Sequence, residues 1–166
     1  MKATILSFVF PLLFLACSSD DDASRQYSEN TFTAVKNEKS WNGITEIGLT
    51  TEDTLVFLGV ADGGADNGVV VAKVKFEGKG HYDLIENQGI YYETVGGDAM
   101  VRQYAIEKGK IGSFNIISYD SESQRIKGEF EMPLKAMYLN QTNVTDSTLT
   151  IVNGLFSGTI REEVIY

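Results

Sequence analysis

Hydrophobic and polar residues alternate along much of the chain after the first thirty positions. Successive side chains of a β-strand point to opposite faces, so this alternation predicts strands with one buried face. The clearest example covers residues 125–132, in which Ile126, Gly128, Phe130 and Met132 are predicted to point inward. The charged residues between them are predicted to face water.

Shorter segments of similar character occur throughout this region. They cover residues 32–35, 54–60, 69–76, 81–84, 90–95, 100–106 and 114–119. Glycine, asparagine or aspartate separates most of them, as in a polar turn at 37–39 and a flexible loop at 62–68. Short strands at this spacing are typical of an antiparallel sandwich or barrel. We therefore predict one all-β domain over residues 31–166, either an antiparallel β-sandwich or a barrel-like fold.

The dipeptide Asn153-Gly154 gives the strongest local turn prediction. Asparagine and glycine tolerate positive φ, which a two-residue type I′ hairpin turn requires at both central positions. A hairpin centred there pairs Val152 with Leu155 and continues outward with apolar residues opposite apolar residues. We therefore predict that two strands flank this turn.

The strand pattern is interrupted after residues 125–132. Pro133 has no backbone N–H, so it is predicted to end the pairing of that strand. The alternation lapses over residues 134–139, which is the one place where a helix is predicted.

The first residues of the chain follow a different pattern. An apolar run over residues 5–15 follows a positively charged start, which is the layout of a secretory signal peptide and is too short to span a membrane unaided. The Leu-Ala-Cys sequence that ends at Cys17 resembles a bacterial lipobox, although Phe14 stands where that motif usually has leucine. We predict a lipoprotein signal peptide over residues 1–16 and lipidation of Cys17, the single cysteine of the chain.

An acidic segment follows this cysteine and consists of Ser19, Asp20, Asp21 and Asp22. Adjacent carboxylates repel one another and are not buried unpaired, so the segment is predicted to be extended and solvated. Together with the polar residues after it, it forms a predicted flexible tether over residues 17–30. The four residues resemble the Ser-Asp-Asp-Asp export signal of flavobacterial-type Bacteroidetes lipoproteins. This resemblance implies a lipid-anchored protein of the outer membrane that faces the cell exterior.

Three parts of the predicted domain resemble a family of Bacteroidetes lipoprotein domains of unknown function. They are Phe-Thr-Ala-Val-Lys-Asn-Glu-Lys-Ser-Trp at 32–41, Gly-x-Phe…Tyr-Asp…Arg-Ile-x-Gly-x-Phe within 112–130, and Thr-Ile-x-Asn-Gly-x-Phe at 150–156. These are strand and turn residues, so the resemblance implies an all-β fold and carries over no catalytic residue.

The charge of the chain restricts its partners. It carries 23 acidic and 14 basic residues and a formal net charge of −9. Nucleic-acid phosphates would repel such a chain, so we predict no nucleic-acid partner. Polybasic docking on lipid is equally disfavoured, so the acyl chains are the expected membrane attachment. We expect a monomer.

Two groups of polar residues offer candidate chemistry. His81, the single histidine, shares a face of its predicted strand with Asp83, but no nucleophile motif accompanies this couple and a structural role is expected. Asp62, Asp66 and Asn67 are weak candidates for calcium ligands, because their order does not fit an EF-hand. We predict no catalytic residue, no cofactor and no bound metal.

Surface recognition has further candidates. Aromatic rings of the kind that bind sugars come from Tyr82, Tyr91, Tyr92, Tyr104, Tyr119 and Tyr138, although packing within the sheet is their expected use. Asp-Thr-Leu and Asp-Ser-Thr sequences resemble Bacteroidetes O-glycosylation sites, with Thr54 and Ser147 as the acceptors.

Two classes of function remain. The favoured one is a binding or interaction module at the cell surface that holds a glycan, a small ligand or a neighbouring envelope protein. The alternative is a polysaccharide hydrolase, which needs two carboxylates facing one cleft, about 5–5.5 Å or 6.5–9.5 Å apart. No motif identifies such a pair, so we predict a module without enzymatic activity.

We predict that the anchor and the export signal are separable. Cys17→Ala removes the acylated residue, so the protein should leave the membrane fraction. Replacing Asp20, Asp21 and Asp22 with alanine should leave the protein lipidated but facing the periplasm. Protease added to intact cells should then digest the wild type and spare the triple variant. Equal digestion of both would reduce the aspartates to a solvated spacer, and protection of both would place the protein inside the envelope.

Overall fold

The computed structural model describes residues 27–61, 68–95, 99–139 and 147–162. The strands are β1 (Thr31–Lys36), β2 (Lys39–Leu49), β3 (Thr54–Ala61), β4 (Gly68–Lys75), β5 (Gly80–Leu84), β6 (Gly89–Val95), β7 (Ala99–Ile106), β8 (Gly112–Asp120), β9 (Arg125–Leu139) and β10 (Thr148–Glu162). A 3₁₀ turn at Glu86–Gln88 lies between β5 and β6. The prediction of an all-β domain is confirmed. The described part of the chain contains no helix with the length and hydrophobicity of a transmembrane span.

All ten strands belong to one sheet, in the order β1-β10-β2-β3-β4-β6-β7-β9-β8-β5. Additional pairing of β1 with β2 and of β10 with β9 closes the sheet into a ring, so the fold is barrel-like. Strand β10 pairs with β9 and β1 in antiparallel orientation and, at residues 160–162, with 47–49 of β2 in parallel orientation. The sheet is therefore mixed but mostly antiparallel.

Aromatic side chains fill the interior of the ring. Phe57, Phe114, Phe130 and Phe156 are fully buried, and they come from four different strands. The rings of Phe114 and Phe156 stack with centroids 4.7 Å apart, and Phe57 lies 4.9 Å from Phe156. Each such pair contributes about 0.5–1.5 kcal/mol beyond the burial of its surface. These contacts hold opposite walls of the ring together.

Strand β3 is buried on both faces, as its continuous apolar sequence predicts. Phe57 points into the central core, while Val56 and Leu58 form a separate outer cluster with Val71 of β4. The ring of Tyr92 packs against this outer cluster, and partial burial raises the pKa of its hydroxyl.

The prediction for residues 133–139 is wrong. Strand β9 continues through Pro133 to Leu139, and no helix replaces it. One edge of β9 pairs with β10. On the other edge, the neighbouring strand changes from β8 to β7 at Pro133. The Pro133 nitrogen, which carries no hydrogen, faces the point between β8 and β7, so no hydrogen bond between strands is lost there. The Pro133 carbonyl accepts a hydrogen bond from the Glu107 N–H at 3.0 Å.

The hairpin predicted at Asn153-Gly154 is also wrong. Strand β10 runs straight through both residues, so Val152 and Leu155 do not face each other. Asn153 has a φ of 53°, and the register against β9 shifts between Ile151 and Gly154, which is the signature of a β-bulge. The positive φ of Asn153, which was expected in a turn, instead forms a bulge within a continuous strand.

A two-residue turn with positive φ at both central positions lies elsewhere in the chain. Asn37 and Glu38 have φ values of 46° and 66° and join β1 to β2. This is the backbone conformation that a type I′ hairpin requires, and it matches the right-handed twist of the flanking strands. The polar turn predicted at 37–39 is thus confirmed.

The last residues of the predicted tether contact the domain. Glu29 forms an ion pair with Arg125, and the Asn30 carbonyl accepts a hydrogen bond from the Thr45 N–H at 2.9 Å. The predictions for Cys17 and for Ser19 to Asp22 concern residues outside the described ranges.

We predict that Gly154→Val destabilises the domain by about 1–3 kcal/mol. A Cβ atom at Gly154 would lie 2.6 Å from the Phe130 carbonyl oxygen, so the added side chain would force β9 and β10 apart. The matched control is Gly80→Val, because a Cβ at this strand glycine meets no atom within 4 Å. Urea unfolding should show a lower midpoint for the first variant only. Equal midpoints would mean that this part of β10 does not pack as described.

Candidate binding site

The histidine couple predicted from the sequence lies on the surface of β5. His81 Nε2 is 3.2 Å from Asp83 Oδ1, and the two side chains are 62% and 64% exposed. Among the described residues, no group of His, Cys, Asp or Glu is arranged to hold a metal ion. The calcium candidates Asp62, Asp66 and Asn67 fall outside those residues.

His81 also lines a groove of about 470 Å³ on the outer face of β5, β8 and β9. Ser113, Asn115, Glu129 and Glu131 contribute to the same groove. Glu129 and Glu131 are two positions apart on one strand, so they share a face with their Cβ atoms about 6.5–7 Å apart. A glycosidase needs two carboxylates facing one cleft, and these two residues line the same groove. This groove is therefore the place where a hydrolytic carboxylate pair would lie.

The tyrosines do not gather on one binding surface. Tyr91 and Tyr104 are buried in the core, and the Tyr82 hydroxyl donates a hydrogen bond to a backbone carbonyl at 2.7 Å. Tyr119 packs edge-to-face against a phenylalanine ring 5.1 Å away. Only the backbone of Tyr138 is described. Packing, the use expected from the sequence, accounts for these described rings.

The two candidate glycosylation residues differ in accessibility. Ser147 is exposed immediately before β10, where its carbonyl accepts a hydrogen bond from the Ala136 N–H at 2.8 Å. Thr54 is half-buried at the start of β3. The geometry favours Ser147, and glycosylation of either residue stays a prediction.

A second cleft, which the sequence did not indicate, lies at the end of the ring beside the β1–β2 turn. We call it the mouth cleft, and its volume is about 450 Å³. Its charged and aromatic lining consists of Lys36, Lys39, Trp41, Glu93, Arg102 and Tyr104. Trp41 and Tyr104 are almost fully buried, so they form the floor, while the charged residues form the rim.

The β1–β2 turn fixes one side of the mouth cleft. The Asn37 N–H donates a hydrogen bond to the Thr150 carbonyl at 3.0 Å, and the Thr150 N–H donates to Asn37 Oδ1 at 3.0 Å. These two bonds attach the tip of the hairpin to β10. Lys36 and Lys39, which face each other across the turn, are held at the cleft as a result.

A chain of polar contacts crosses the cleft. Lys36 Nζ donates a hydrogen bond to the Tyr91 hydroxyl at 2.6 Å, and that hydroxyl donates to Glu93 Oε1 at 2.8 Å. Arg102 Nη1 lies 3.4 Å from Glu93 Oε2, because Glu93 and Arg102 are paired positions of β6 and β7. Contacts of this kind with charged groups are about twice as strong as neutral ones. The network therefore holds its side chains in place before any ligand arrives.

The floor also interacts with the rim. Lys36 Nζ lies 5.2 Å from the centre of the Trp41 ring and 4.7 Å from that of Tyr91, within cation–π range. Trp41 is 4% exposed, and its Nε1 has no hydrogen-bond partner among the described residues. Since the ring faces are occupied by packing and by Lys36, the cleft does not offer an open aromatic platform for a sugar ring.

Two carboxyl groups with lowered pKa values lie in turns outside the mouth cleft. Hydrogen bonds from the Ser123 side chain and from nearby N–H groups lower the pKa of Asp120. The Lys110 ammonium lowers the pKa of Glu107. Both carboxylates stabilise local structure and are not candidates for acid–base catalysis.

Comparisons of the chain with protein-family models, curated proteins and solved structures found no match. The resemblance to Bacteroidetes lipoproteins therefore stays a prediction. The site must be interpreted from its own geometry.

We predict that Tyr91→Phe destabilises the domain by about 1–3 kcal/mol, because it removes the hydroxyl between two charged side chains and leaves the ring in place. The control is Tyr92→Phe on the outer face, which should change the unfolding free energy by less than about 0.5 kcal/mol. A double-mutant cycle with Lys36→Met, followed by urea unfolding, should give a coupling energy above about 0.5 kcal/mol. Additive effects would show that the Lys36–Tyr91 hydrogen bond does not contribute to stability.

Proposed function

We propose that this chain is a lipid-anchored binding module of a bacterial outer membrane and that its β domain holds a ligand in the mouth cleft. The observation that carries the proposal is the preformed network of Lys36, Tyr91, Glu93 and Arg102 above a buried aromatic floor. Fixed polar groups lower the entropic cost of ordering side chains on binding. The anchor rests on the sequence ending at Cys17 and the acidic segment after it.

The size of the cleft favours a small ligand or one end of a glycan over a protein surface. Its volume of about 450 Å³ falls within the range of about 300–1,000 Å³ that is usual for small-molecule sites. Protein interfaces instead bury broad surfaces of about 800 Å² on each partner. Among the three partner classes expected from the sequence, the geometry therefore favours the first two.

The hydrolase alternative rests on Glu129 and Glu131 in the groove on the outer face of β5, β8 and β9. Glu131 and the neighbouring His81 are exposed to water there, whereas enzymes usually exclude water around the groups that transfer protons. The mouth cleft offers better-fixed groups. Binding is therefore the function that the arrangement supports best.

The test uses the full-length lipidated protein in detergent, titrated by calorimetry with a panel of neutral and charged oligosaccharides and small organic acids. A ligand of the module should bind at one site and be recovered unchanged. Arg102→Glu should weaken its binding at least tenfold, because it breaks the ion pair with Glu93, whereas Lys79→Glu on another surface should not. Cleavage products whose release depends on Glu129 and Glu131 would overturn the proposal in favour of the hydrolase.

A further inference from the structure

We infer that the ligand of the mouth cleft binds through a carboxylate group. This inference rests on the proposed function and specifies the chemical class of its ligand. The mouth cleft combines an excess of positive charge, hydrogen-bond donors without a matching set of acceptors, and a buried donor that lacks a partner.

The charge of the cleft opposes that of the chain. The chain has a net charge of −9, yet Lys36, Lys39 and Arg102 meet at the cleft with one carboxylate, Glu93. Glu38 lies in the same turn but lines a neighbouring depression. Cations gathered in an acidic protein create a local potential that attracts anions and repels cations.

The single carboxylate of the cleft is already engaged. Glu93 accepts a hydrogen bond from Tyr91 through one oxygen and pairs with Arg102 through the other. Lys39 has no salt-bridge partner among the described residues and is exposed. Because Glu93 offsets one of the three cations, two positive charges are left at the cleft to attract an anionic group.

The floor adds a hydrogen-bond donor. An indole N–H only donates, and the Trp41 Nε1 is buried with no partner among the described residues. A buried donor without a partner costs about 1–3 kcal/mol, which an acceptor would recover after a shift of the side chains that cover the nitrogen. Trp41 lines the cleft together with Lys39 and Arg102, whose side chains are also donors. A carboxylate accepts through both oxygens and satisfies donors on two sides.

This carboxylate has two chemical sources, a sugar acid within a glycan or a small free organic acid. Both sources present the same acid group, and the contacts of the rim residues with that group do not depend on the molecule that carries it. The experiment therefore includes one carboxylate probe of each kind. It also includes two comparison probes, a neutral sugar of matched size and inorganic phosphate.

The probes are digalacturonate, galactobiose, succinate and inorganic phosphate, titrated into the full-length protein in detergent. At least one carboxylate probe should bind ten times more tightly than galactobiose and phosphate, and added salt should weaken it. The carboxylate probe that binds more tightly identifies the source. Lys39→Gln and Arg102→Gln should each reduce its affinity at least fivefold, and Lys39→Gln should do so without lowering the urea midpoint. The control Lys79→Gln should leave the affinity unchanged.

Trp41 supplies a readout in the unmodified protein, because it is the single tryptophan of the chain. Its indole N–H signal in a proton NMR spectrum should move downfield and exchange more slowly with water when the carboxylate binds. A neutral probe that binds as tightly as the acids and is unaffected by Lys39→Gln and Arg102→Gln would overturn the inference and leave the proposed function standing. Tighter binding of phosphate would also overturn it. If no probe here or in the larger panel binds, the proposed function itself fails.

Discussion

The whole ring depends on the pairing of β10 with three other strands. Its antiparallel bonds to β9 and β1 and its short parallel contact with β2 join the first and last parts of the domain. Without β10, the hairpin of β1 and β2 would lose its attachment to β9, and the phenylalanine cluster would lose Phe156. The mouth cleft depends on the same strand, because Thr150 holds the turn at Asn37.

Local patterns predicted the strands in which large apolar residues mark the buried face. They did not identify β2, because two of its inward positions are Gly43 and Thr45. A Cβ at Gly43 would lie 1.9 Å from the Val60 carbonyl oxygen, and Thr45 Oγ1 donates a hydrogen bond to the Ser157 carbonyl at 2.6 Å. The turn preference of Asn153-Gly154 yields to pairing on both edges of β10, which favours a bulge in a continuous strand.

The mouth cleft could not be predicted in the same way, because ring closure assembles it from distant parts of the chain. Lys36 and Tyr91 are 55 positions apart. The opposite charges of Glu93 and Arg102, on two strands joined by a glycine-rich segment, were a usable sign of a cross-strand ion pair. The pairing of Glu93 with Arg102 also requires a register shift after Glu93. Counting residues outward from the turn does not predict that shift. By contrast, the His81–Asp83 couple was visible in the sequence because it lies on one strand.

That couple has a consequence for how copies of this protein behave at high concentration. Strand β5 is the last strand of the sheet order, and β8 is its single hydrogen-bonded neighbour among the described strands. An unpaired edge invites strands of other molecules to add to the sheet. β5 has only five residues and carries His81 and Asp83, and short charged edges discourage such growth. Residues that suggested chemistry would thus disfavour the addition of another molecule's strand at this edge.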